Sequence, residues 1–269
     1  LFANKKLTIS PLSKKDFKHI PIVSKKITYR YKGKKAEIGI IQDYIVNEGS
    51  FWDFSQKELK HFFESIIPQV ENNFELNNLS VFKEKIKEYI GVFYLDLIDK
   101  LAERTSQMHS ILGSDTKDPL FFPESFTIMY QHSIYQTVRT EIKKTLEILN
   151  DNQKNINIID HEKFSKLVID KERLLMAYIK KIISKKFNGQ RIRNHGEFNL
   201  KQILFTGKDF VFIDFDGISI RPFSERKIKR SCLREISFLF RSFHYVVYSV
   251  LINEANLKSV NISKFYIFA

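Results

Sequence analysis

The residues best suited to chemistry lie in two neighbouring motifs in the last third of the chain. The first runs from Asn194 to Gln202, and the second is Asp214-Phe215-Asp216-Gly217. Phosphoryl transfer from ATP needs metal ions that bridge the phosphates and a carboxylate that orients the acceptor hydroxyl. Mg²⁺ binds oxygen ligands and keeps several waters, so one carboxylate and one amide oxygen are adequate protein ligands. The two motifs therefore predict a phosphotransferase site that uses ATP and Mg²⁺.

Five polar side chains of these motifs have a predicted role. Glu197 is the predicted base that accepts the proton of the acceptor hydroxyl, and His195 is expected to brace the loop around it through hydrogen bonds. Gln202 and Asp214 are the predicted ligands of Mg²⁺. Asp216 is expected to assist a second metal ion or to bind the substrate. Either motif alone is also typical of ordinary loop residues, and it is their combination at this spacing that favours function.

A predicted β-hairpin positions the two motifs. Ile203–Phe205 and Phe210–Ile213 are apolar runs that flank Thr206-Gly207-Lys208-Asp209, a four-residue turn containing Gly. The first motif ends where one strand begins, and the second motif begins where the other strand ends. The polar side chains of both motifs are therefore expected near the mouth of one cleft.

The rest of the chain predicts a small β-rich part followed by a large helical part. An earlier hairpin is indicated by alternation over Ile27–Tyr31 and Ala36–Ile40. Ser55-Gln56-Lys57-Glu58 fits a capping box at the start of a helix. His109 and His132 are interpreted as ordinary residues of predicted helices. Periodic apolar residues predict further helices over about 80–112, 126–149, 161–187 and 233–253.

Two of these helices have a predicted apolar face. Both faces are interpreted as ordinary core because their residues recur at the spacing of one side of a helix. The residues are Ile134, Val138, Ile142, Thr145 and Leu149 on the first helix, and Phe164, Leu167, Val168, Leu175, Tyr178, Ile182 and Ile183 on the second.

Composition narrows the class of protein. The chain has 269 residues, 43% of them hydrophobic, and 25 are Phe, which is enough to bury a large core. A single Cys, Cys232, excludes a disulfide framework. The longest apolar run has eight residues, whereas about 20 are needed to span a bilayer. The sequence therefore predicts a cytoplasmic protein that does not bind membranes.

The net charge of +13 raises nucleic acid as a partner, because strong positive charge attracts phosphate. The Lys pairs are scattered along the chain, so they are interpreted as solvated faces and no nucleic-acid partner is expected. Binding of nucleic acid by a basic surface stays an alternative, and it predicts steeply salt-dependent affinity.

The two motifs and their surroundings resemble the maltokinases. His195–Leu204 is similar to the family signature HGDFHLGQVL, and Thr206–Gly217 is similar to TGDDWVVLDFEG. The resemblance extends to five further blocks and covers about residues 20 to 250. Those blocks are Gln42–Trp52 (QEFVPNEGDGW), Leu101–His109 (LGRRTAELH), Arg221–Lys227 (RPLAERR), Lys229–Glu235 (KRSPLRDV) and Arg241–Tyr245 (RSFDY).

This resemblance implies an α+β, aminoglycoside-phosphotransferase-like kinase fold with two lobes. Residues 1–46 would form a truncated β-rich N-lobe, and residues 47–269 a helical C-lobe. It implies transfer of the ATP γ-phosphate to the anomeric hydroxyl of maltose, giving maltose 1-phosphate. Gln42, Asp43, Tyr44 and Ile45 would bind the nucleotide, with the backbone of Asp43–Ile45 meeting adenine. Such kinases often follow a trehalose synthase in one chain, and a start at Leu1 is consistent with a fragment of such a fusion.

The chain departs from the family pattern at three points. Glu197 stands where the signature has Asp, and Asn199 and Lys201 stand where it has His and Gly. The phosphate-covering loop and phosphate-binding Lys, expected upstream of residue 20, have no convincing match within Leu1–Lys18. One added methylene moves a carboxylate by about 1 Å, and misplacement on that scale can lower a rate about a hundredfold. A catalytically impaired pseudokinase or scaffolding domain is therefore the main alternative.

Overall fold

The computed structural model describes residues 10–71, 86–114, 118–152, 161–218 and 221–258. These residues form an α+β fold in which long helices dominate and the strands occur as short antiparallel pairs, which confirms the predicted class. The chain divides into two compact units, residues 1–123 with 191–269, and residues 124–190. The lobe boundary expected after residue 46 stays a prediction. Among the described residues, no helix combines the length and apolar character needed to cross a bilayer.

The first unit contains two β-hairpins, several helices and a short 3₁₀ turn. The first hairpin joins β1 (Val23–Tyr31) to β2 (Lys34–Gln42). Lys32 and Gly33 form its turn with φ of 46° and 73°, the left-handed conformation that two-residue hairpin turns favour. This hairpin confirms the alternating pattern, and both strands are longer than predicted. The helices of this unit include α1 (Phe51–Glu71), α2 (Val92–Leu112), α5 (Phe223–Arg226) and α6 (Leu233–Lys258).

Helix α1 begins four residues before the predicted cap. Ser50 accepts a hydrogen bond from the Asp53 amide at 3.2 Å, and the Asp53 carboxylate accepts from the Ser50 amide at 3.3 Å. This reciprocal pair caps the helix. The prediction of a capping box at Ser55 was wrong, because Ser55 is buried within the helix and accepts a hydrogen bond from the hydroxyl of Tyr94 at 2.9 Å. Burial raises the pKa of Tyr94 to about 12.

The predicted helix over 80–112 is interrupted at Gly91. Residues 86–90 are helical, Gly91 adopts a φ of 83°, and α2 starts at the next residue, whereas residues 80–85 lie outside the described part. A positive φ is accessible to Gly without steric cost, so a single residue can redirect the chain here. The prediction of one continuous helix was therefore wrong at this point. Helix α6 extends five residues beyond its predicted end.

The core of the first unit is built largely from aromatic side chains. Helix α1 packs against α6 and against the second hairpin, and Phe51 is fully buried between them. Its ring lies 4.8 Å from Phe210 and 5.9 Å from Tyr94. Edge-to-face and stacked ring pairs at these separations add to the free energy gained from burying apolar area. Other fully buried rings of this core are Phe63, Phe198, Phe205, Phe212 and Phe215.

The second unit contains two helices that pack against each other, α3 (Ile128–Asp151) and α4 (His161–Ser184). Short strands β3 (Glu124–Ser125) and β4 (Gln190–Arg191) lie at its two ends, and the unit boundary falls within β4. Gln131 is buried, and its amide nitrogen donates to the carbonyls of Ile182 and Lys185 at 2.6 and 2.8 Å. These bonds satisfy carbonyls at the C-terminal end of α4.

The apolar faces of these two helices match the prediction only in part. On α3, Thr145 is exposed, and Leu146 is half-buried in its place. On α4, the predicted core residues Leu167, Leu175 and Tyr178 are between 41% and 57% exposed, whereas Ile179 is buried. The side chain of Phe164 lies outside the described part. The buried face of α4 is therefore rotated about the helix axis relative to the predicted one. Apolar residues occur around much of this helix, so its sequence is compatible with more than one buried face.

Candidate active site

The second hairpin is the element that positions both sequence motifs. Strands β5 (Ile203–Phe205) and β6 (Phe210–Phe212) pair in register around a turn closed by the Thr206 amide, which donates to the Asp209 carbonyl at 3.0 Å. Every residue of β6 is buried. This confirms the predicted hairpin, although its second strand ends one residue early.

Both edges of this hairpin bond to other parts of the first unit. The Phe205 amide donates to the Gly49 carbonyl at 3.0 Å, and the Glu48 amide donates to the Phe205 carbonyl at 2.8 Å. On the other edge, the Phe212 amide donates to the His19 carbonyl at 2.8 Å. Backbone pairing on both sides limits sliding and rotation of the strands, so the residues at their ends have defined positions.

An ion pair fixes the turn of the hairpin to α2. The guanidinium of Arg104 donates to both carboxylate oxygens of Asp209, at 3.1 and 3.0 Å. Burial acts to raise the pKa of Asp209, but the hydrogen bonds from Arg104 and from the Phe210 amide outweigh it and hold that pKa below its usual range. The bidentate geometry gives this contact direction as well as strength.

His195 joins the two motifs. Its ring is buried, and Nε2 donates to the Ile213 carbonyl, immediately before Asp214, at 2.6 Å. The ring also lies 4.3 Å from Phe215 and 5.3 Å from Phe198. Its Nδ1 accepts a hydrogen bond from the Glu197 amide at 3.4 Å. The imidazole therefore holds the loop of Glu197 against the loop of Asp214.

The two motif loops cross at a pair of glycines. Gly196 has a φ of 98° and Gly217 a φ of 73°, both in the range that side chains disfavour. A Cβ atom on Gly196 would lie 2.7 Å from the Cα of Gly217, well inside carbon–carbon contact. The absence of a side chain at position 196 is therefore what allows the loops to touch.

The predicted metal ligands flank the hairpin side by side. Gln202 ends a 3₁₀ turn, Leu200–Gln202, and its carbonyl accepts a hydrogen bond from the Ile213 amide at 3.0 Å. Gln202 is half-buried, whereas Asp214 is exposed and has a φ of 60°. Asp216 is half-buried on the same loop. The structure thus brings the residues before β5 and after β6 together.

Glu197 follows the glycine crossing directly and is half-buried. Two further residues at which this loop departs from the maltokinase signature, Asn199 and Lys201, have structural roles here. The Asn199 side chain caps the 3₁₀ turn by accepting from the Lys201 amide at 2.9 Å, and the Lys201 ammonium lies 5.0 Å from the centre of the Trp52 ring. Asn is favoured at such caps, and a cation over an aromatic face is attractive.

Sequence reasoning missed a buried carboxylate behind the loop. Glu235 is buried, and its Oε1 accepts from the Gly196 amide at 2.7 Å, while Oε2 accepts from His109 Nε2 at 2.8 Å. His109, interpreted from the sequence as an ordinary helix residue, thus orients the carboxylate that holds the glycine crossing. The only signal for this contact was an acidic residue near the start of a predicted helix, which is also typical of a surface position.

The predicted nucleotide segment lies between β2 and the second hairpin. The Asp43 amide donates to the Ile22 carbonyl at 3.0 Å, and the Ile45 carbonyl accepts from the Asn47 side chain at 2.7 Å. Tyr44 is 85% exposed, and Gln42 is the last residue of β2. From Glu48, three residues after Ile45, the chain pairs with β5, so the segment continues directly into the element that holds both motifs.

The donor set beside the hairpin suits a hard cation. Gln202 and Asp214 offer oxygen ligands, which Mg²⁺ prefers, with waters and phosphate oxygens completing its coordination. Within the described ranges, no group of three or more His, Cys, Asp and Glu side chains could hold a metal ion. A magnesium site with one carboxylate and one amide is compatible with that result, because most of its ligands come from water and phosphate.

No model of a known protein family matches the chain. Solved structures of a glucosamine kinase share its fold: crystal form B has a TM-score of 0.65 at 14% identity, over 91% of this chain and 49% of the other. The same kinase in complex with glucosamine, ADP and inorganic phosphate has a TM-score of 0.65 at 14% identity, over 97% and 52%. Crystal form A has a TM-score of 0.61 at 14% identity, over 96% and 50%. The chain thus shares the fold of these structures and spans about half the length of the proteins in them.

Proposed function

We propose that this chain is a maltokinase-like sugar kinase, which transfers the γ-phosphate of ATP to a sugar hydroxyl. The proposal rests mainly on the contact between the two motif loops. His195 and the Gln202 carbonyl both bond to the backbone of Ile213, and the glycines cross in contact. Sequence positions almost twenty residues apart are thereby held as one unit. The shared fold with a glucosamine kinase supports the same class of chemistry.

In this proposal, Glu197 accepts the proton of the attacking hydroxyl. The sugar oxygen forms a bond to the γ-phosphorus, the bond to the β-phosphate oxygen breaks, and ADP leaves with the electron pair. Gln202 and Asp214 would hold Mg²⁺, which neutralises charge on the phosphates, with Asp216 assisting. His195 and Glu235 keep the loop in place, so that the base does not move relative to the acceptor.

The nucleotide would bind along Gln42–Ile45, with adenine against the backbone of Asp43–Ile45. Two polar groups of this segment, the Asp43 amide and the Ile45 carbonyl, already have protein partners. The remaining backbone groups of Tyr44 and its neighbours are the ones that we assign to adenine. This assignment also predicts that substitutions at the exposed Tyr44 side chain change ATP affinity less than backbone changes do.

Maltose is the proposed acceptor, phosphorylated at its anomeric hydroxyl to give maltose 1-phosphate. The support is the resemblance of the His195–Leu204 and Thr206–Gly217 blocks to the maltokinase signatures. Glucosamine is the natural comparator, since it is bound in a structure of similar fold. A trehalose synthase, fused or associated, is the proposed partner because it acts on the same sugars. We further propose that the protein works in the cytoplasm, where ATP is supplied.

A second candidate, a pseudokinase that binds sugar or a partner enzyme, is favoured by one observation. Glu197 carries one methylene more than the Asp of the family signature, and a shift of about 1 Å in the base is costly for the rate. Binding of Mg-ATP and maltose without turnover would identify this second function.

The test is a coupled assay on the full-length protein with Mg-ATP and either maltose or glucosamine, with sugar phosphate identified by mass spectrometry. We expect maltose 1-phosphate from the native protein and none from Asp214→Asn. Asp170→Asn, which removes an exposed carboxylate from α4, is the matched control and should keep native activity. If neither sugar is phosphorylated and Mg-ATP does not bind, the proposal fails.

A further inference from the structure

A polar pocket lies at the glycine crossing. Gly196 and Gly217 form part of its wall, and it opens to solvent. Its lining includes Arg221, Arg226, Arg230 and Arg234 but none of the predicted base and metal ligands. We propose that this pocket binds a phosphate monoester that carries hydroxyl groups, such as a sugar phosphate. The inference concerns binding and does not require that the protein be a kinase.

The four arginines make the pocket suitable for a phosphate. Planar guanidinium groups form paired hydrogen bonds with phosphate oxygens, which makes Arg the usual residue at such sites. Arg230 is held by its backbone, which exchanges two hydrogen bonds of 2.9 Å with Ile192. Within the described part of the chain, its guanidinium has no hydrogen-bond or ion-pair partner. It is therefore a cation with a fixed backbone and an unoccupied donor group.

The two acidic residues of the pocket are already engaged. Glu225 pairs with Arg221 at 3.2 Å, and the Glu235 carboxylate is bound by the Gly196 amide and by His109. Four arginines against two carboxylates leave an excess of two positive charges in the lining. A phosphate monoester carries close to two negative charges at neutral pH, so it matches that excess.

Asn194 indicates that the ligand must also carry a hydrogen-bond donor. Its side-chain nitrogen donates to the Ser231 carbonyl at 3.2 Å, which leaves the oxygen Oδ1 as the acceptor. That oxygen is buried and has no hydrogen-bond partner among the described residues, and Asn194 is one of the residues that line the pocket. A buried acceptor without a donor is costly, and a ligand hydroxyl would satisfy it. The phosphate of a doubly deprotonated monoester has no hydrogen-bond donor of its own, so the ligand should carry hydroxyls beside its phosphate.

Isothermal titration calorimetry with glucose 1-phosphate, inorganic phosphate and glucose as separate probes tests the site. The Asp214→Asn protein, without ATP or Mg²⁺, is used so that binding at the proposed metal site does not contribute. We expect one molecule of glucose 1-phosphate to bind, inorganic phosphate to bind about tenfold more weakly, and glucose not to bind.

Two variants, each made in the Asp214→Asn protein, test whether glucose 1-phosphate binds in this pocket. Arg230→Gln should weaken glucose 1-phosphate binding by at least about tenfold, because it removes a charge-assisted contact. Arg241→Gln is the matched control: it lies on α6, is exposed, and contacts His244 and Tyr245 instead of the pocket. Circular dichroism melting verifies that both variants fold. No binding of glucose 1-phosphate, or equal affinity in Arg230→Gln and the native sequence, overturns the proposal, whereas absence of kinase activity leaves it standing.

Discussion

The glycine crossing predicts a large effect from the smallest possible substitution, Gly196→Ala. The new Cβ would lie 2.7 Å from the Cα of Gly217, whereas carbon atoms pack at about 3.5–4.0 Å. The two loops must therefore separate by about 1 Å. Since Glu197 is the next residue on one loop and Asp214 lies on the other, this separation moves the predicted base relative to the predicted metal ligand.

The magnitude follows from two contributions. A displacement of about 1 Å between reacting groups lowers a rate about a hundredfold. The φ of 98° adds about 1–3 kcal/mol of backbone strain once a side chain is present. We therefore expect kcat/KM for ATP-dependent sugar phosphorylation to fall about a hundredfold, and the free energy of unfolding to fall by more than the strain alone.

Gly91→Ala is the control that separates the effect of backbone strain from the effect of a steric clash between the loops. Gly91 has a similar φ of 83°, but a Cβ there would meet nothing within 4 Å. This control should lower the free energy of unfolding in urea and leave kcat/KM within about twofold of the native value. The reasoning is refuted if Gly196→Ala keeps native kcat/KM, or if Gly91→Ala loses as much activity as Gly196→Ala does.

Three further predictions concern the same loops and their supports. Glu197→Asp should raise kcat, by up to about a hundredfold, because it restores the shorter base of the signature; a lower kcat in steady-state assays would contradict this. Asp209→Asn should cost about 1–2 kcal/mol in urea unfolding at neutral pH, because it loses the charged contact with Arg104. Folding lowers the pKa of Asp209, so the ionised carboxylate stabilises the folded protein above about pH 4, and this stabilisation is lost as the pH falls further. The Asp209→Asn variant should therefore lose less stability than the native protein on acidification. Equal losses in the two proteins would argue against the ion pair. Glu235→Ala should lower kcat about tenfold or more with little change in KM, because the Gly196 amide loses its buried acceptor; a change in KM alone would exclude a positioning role.

Local patterns predicted the parts of the fold that local interactions determine. The Lys32-Gly33 turn and the alternation beside it specify the first hairpin, since turn type and strand periodicity act within a few residues. The same holds for the turn at Thr206–Asp209, and so for the adjacency of the two motifs. These features needed no knowledge of the rest of the molecule.

The predictions from the sequence were wrong where two local structures fit the same residues equally well. Both Ser50 with Asp53 and Ser55 with Glu58 fit a helix cap, and the choice depends on Tyr94, which binds Ser55 from another helix. The break at Gly91 was missed because a Gly within a helix costs only about 1 kcal/mol, which does not by itself end a helix. The face of α4 was misjudged because apolar residues surround it.

The support for the predicted base could not be read from the sequence. Glu235 and His109 are separated by 126 positions, and their contact with the Gly196 amide exists only in the folded chain. A single sequence does not reveal which distant polar residues pair in the folded chain. The arginine pocket was missed for a related reason, since its members lie in two short blocks whose charges are also typical of a solvated surface.

The most direct test of the central claim is transfer of the labelled γ-phosphate from ATP to maltose by the full-length protein. We predict one labelled sugar monophosphate for each ADP formed, and loss of both products in Asp214→Asn or when EDTA removes Mg²⁺. Formation of ADP without labelled sugar, or the same yield of sugar phosphate from Asp214→Asn, would contradict it.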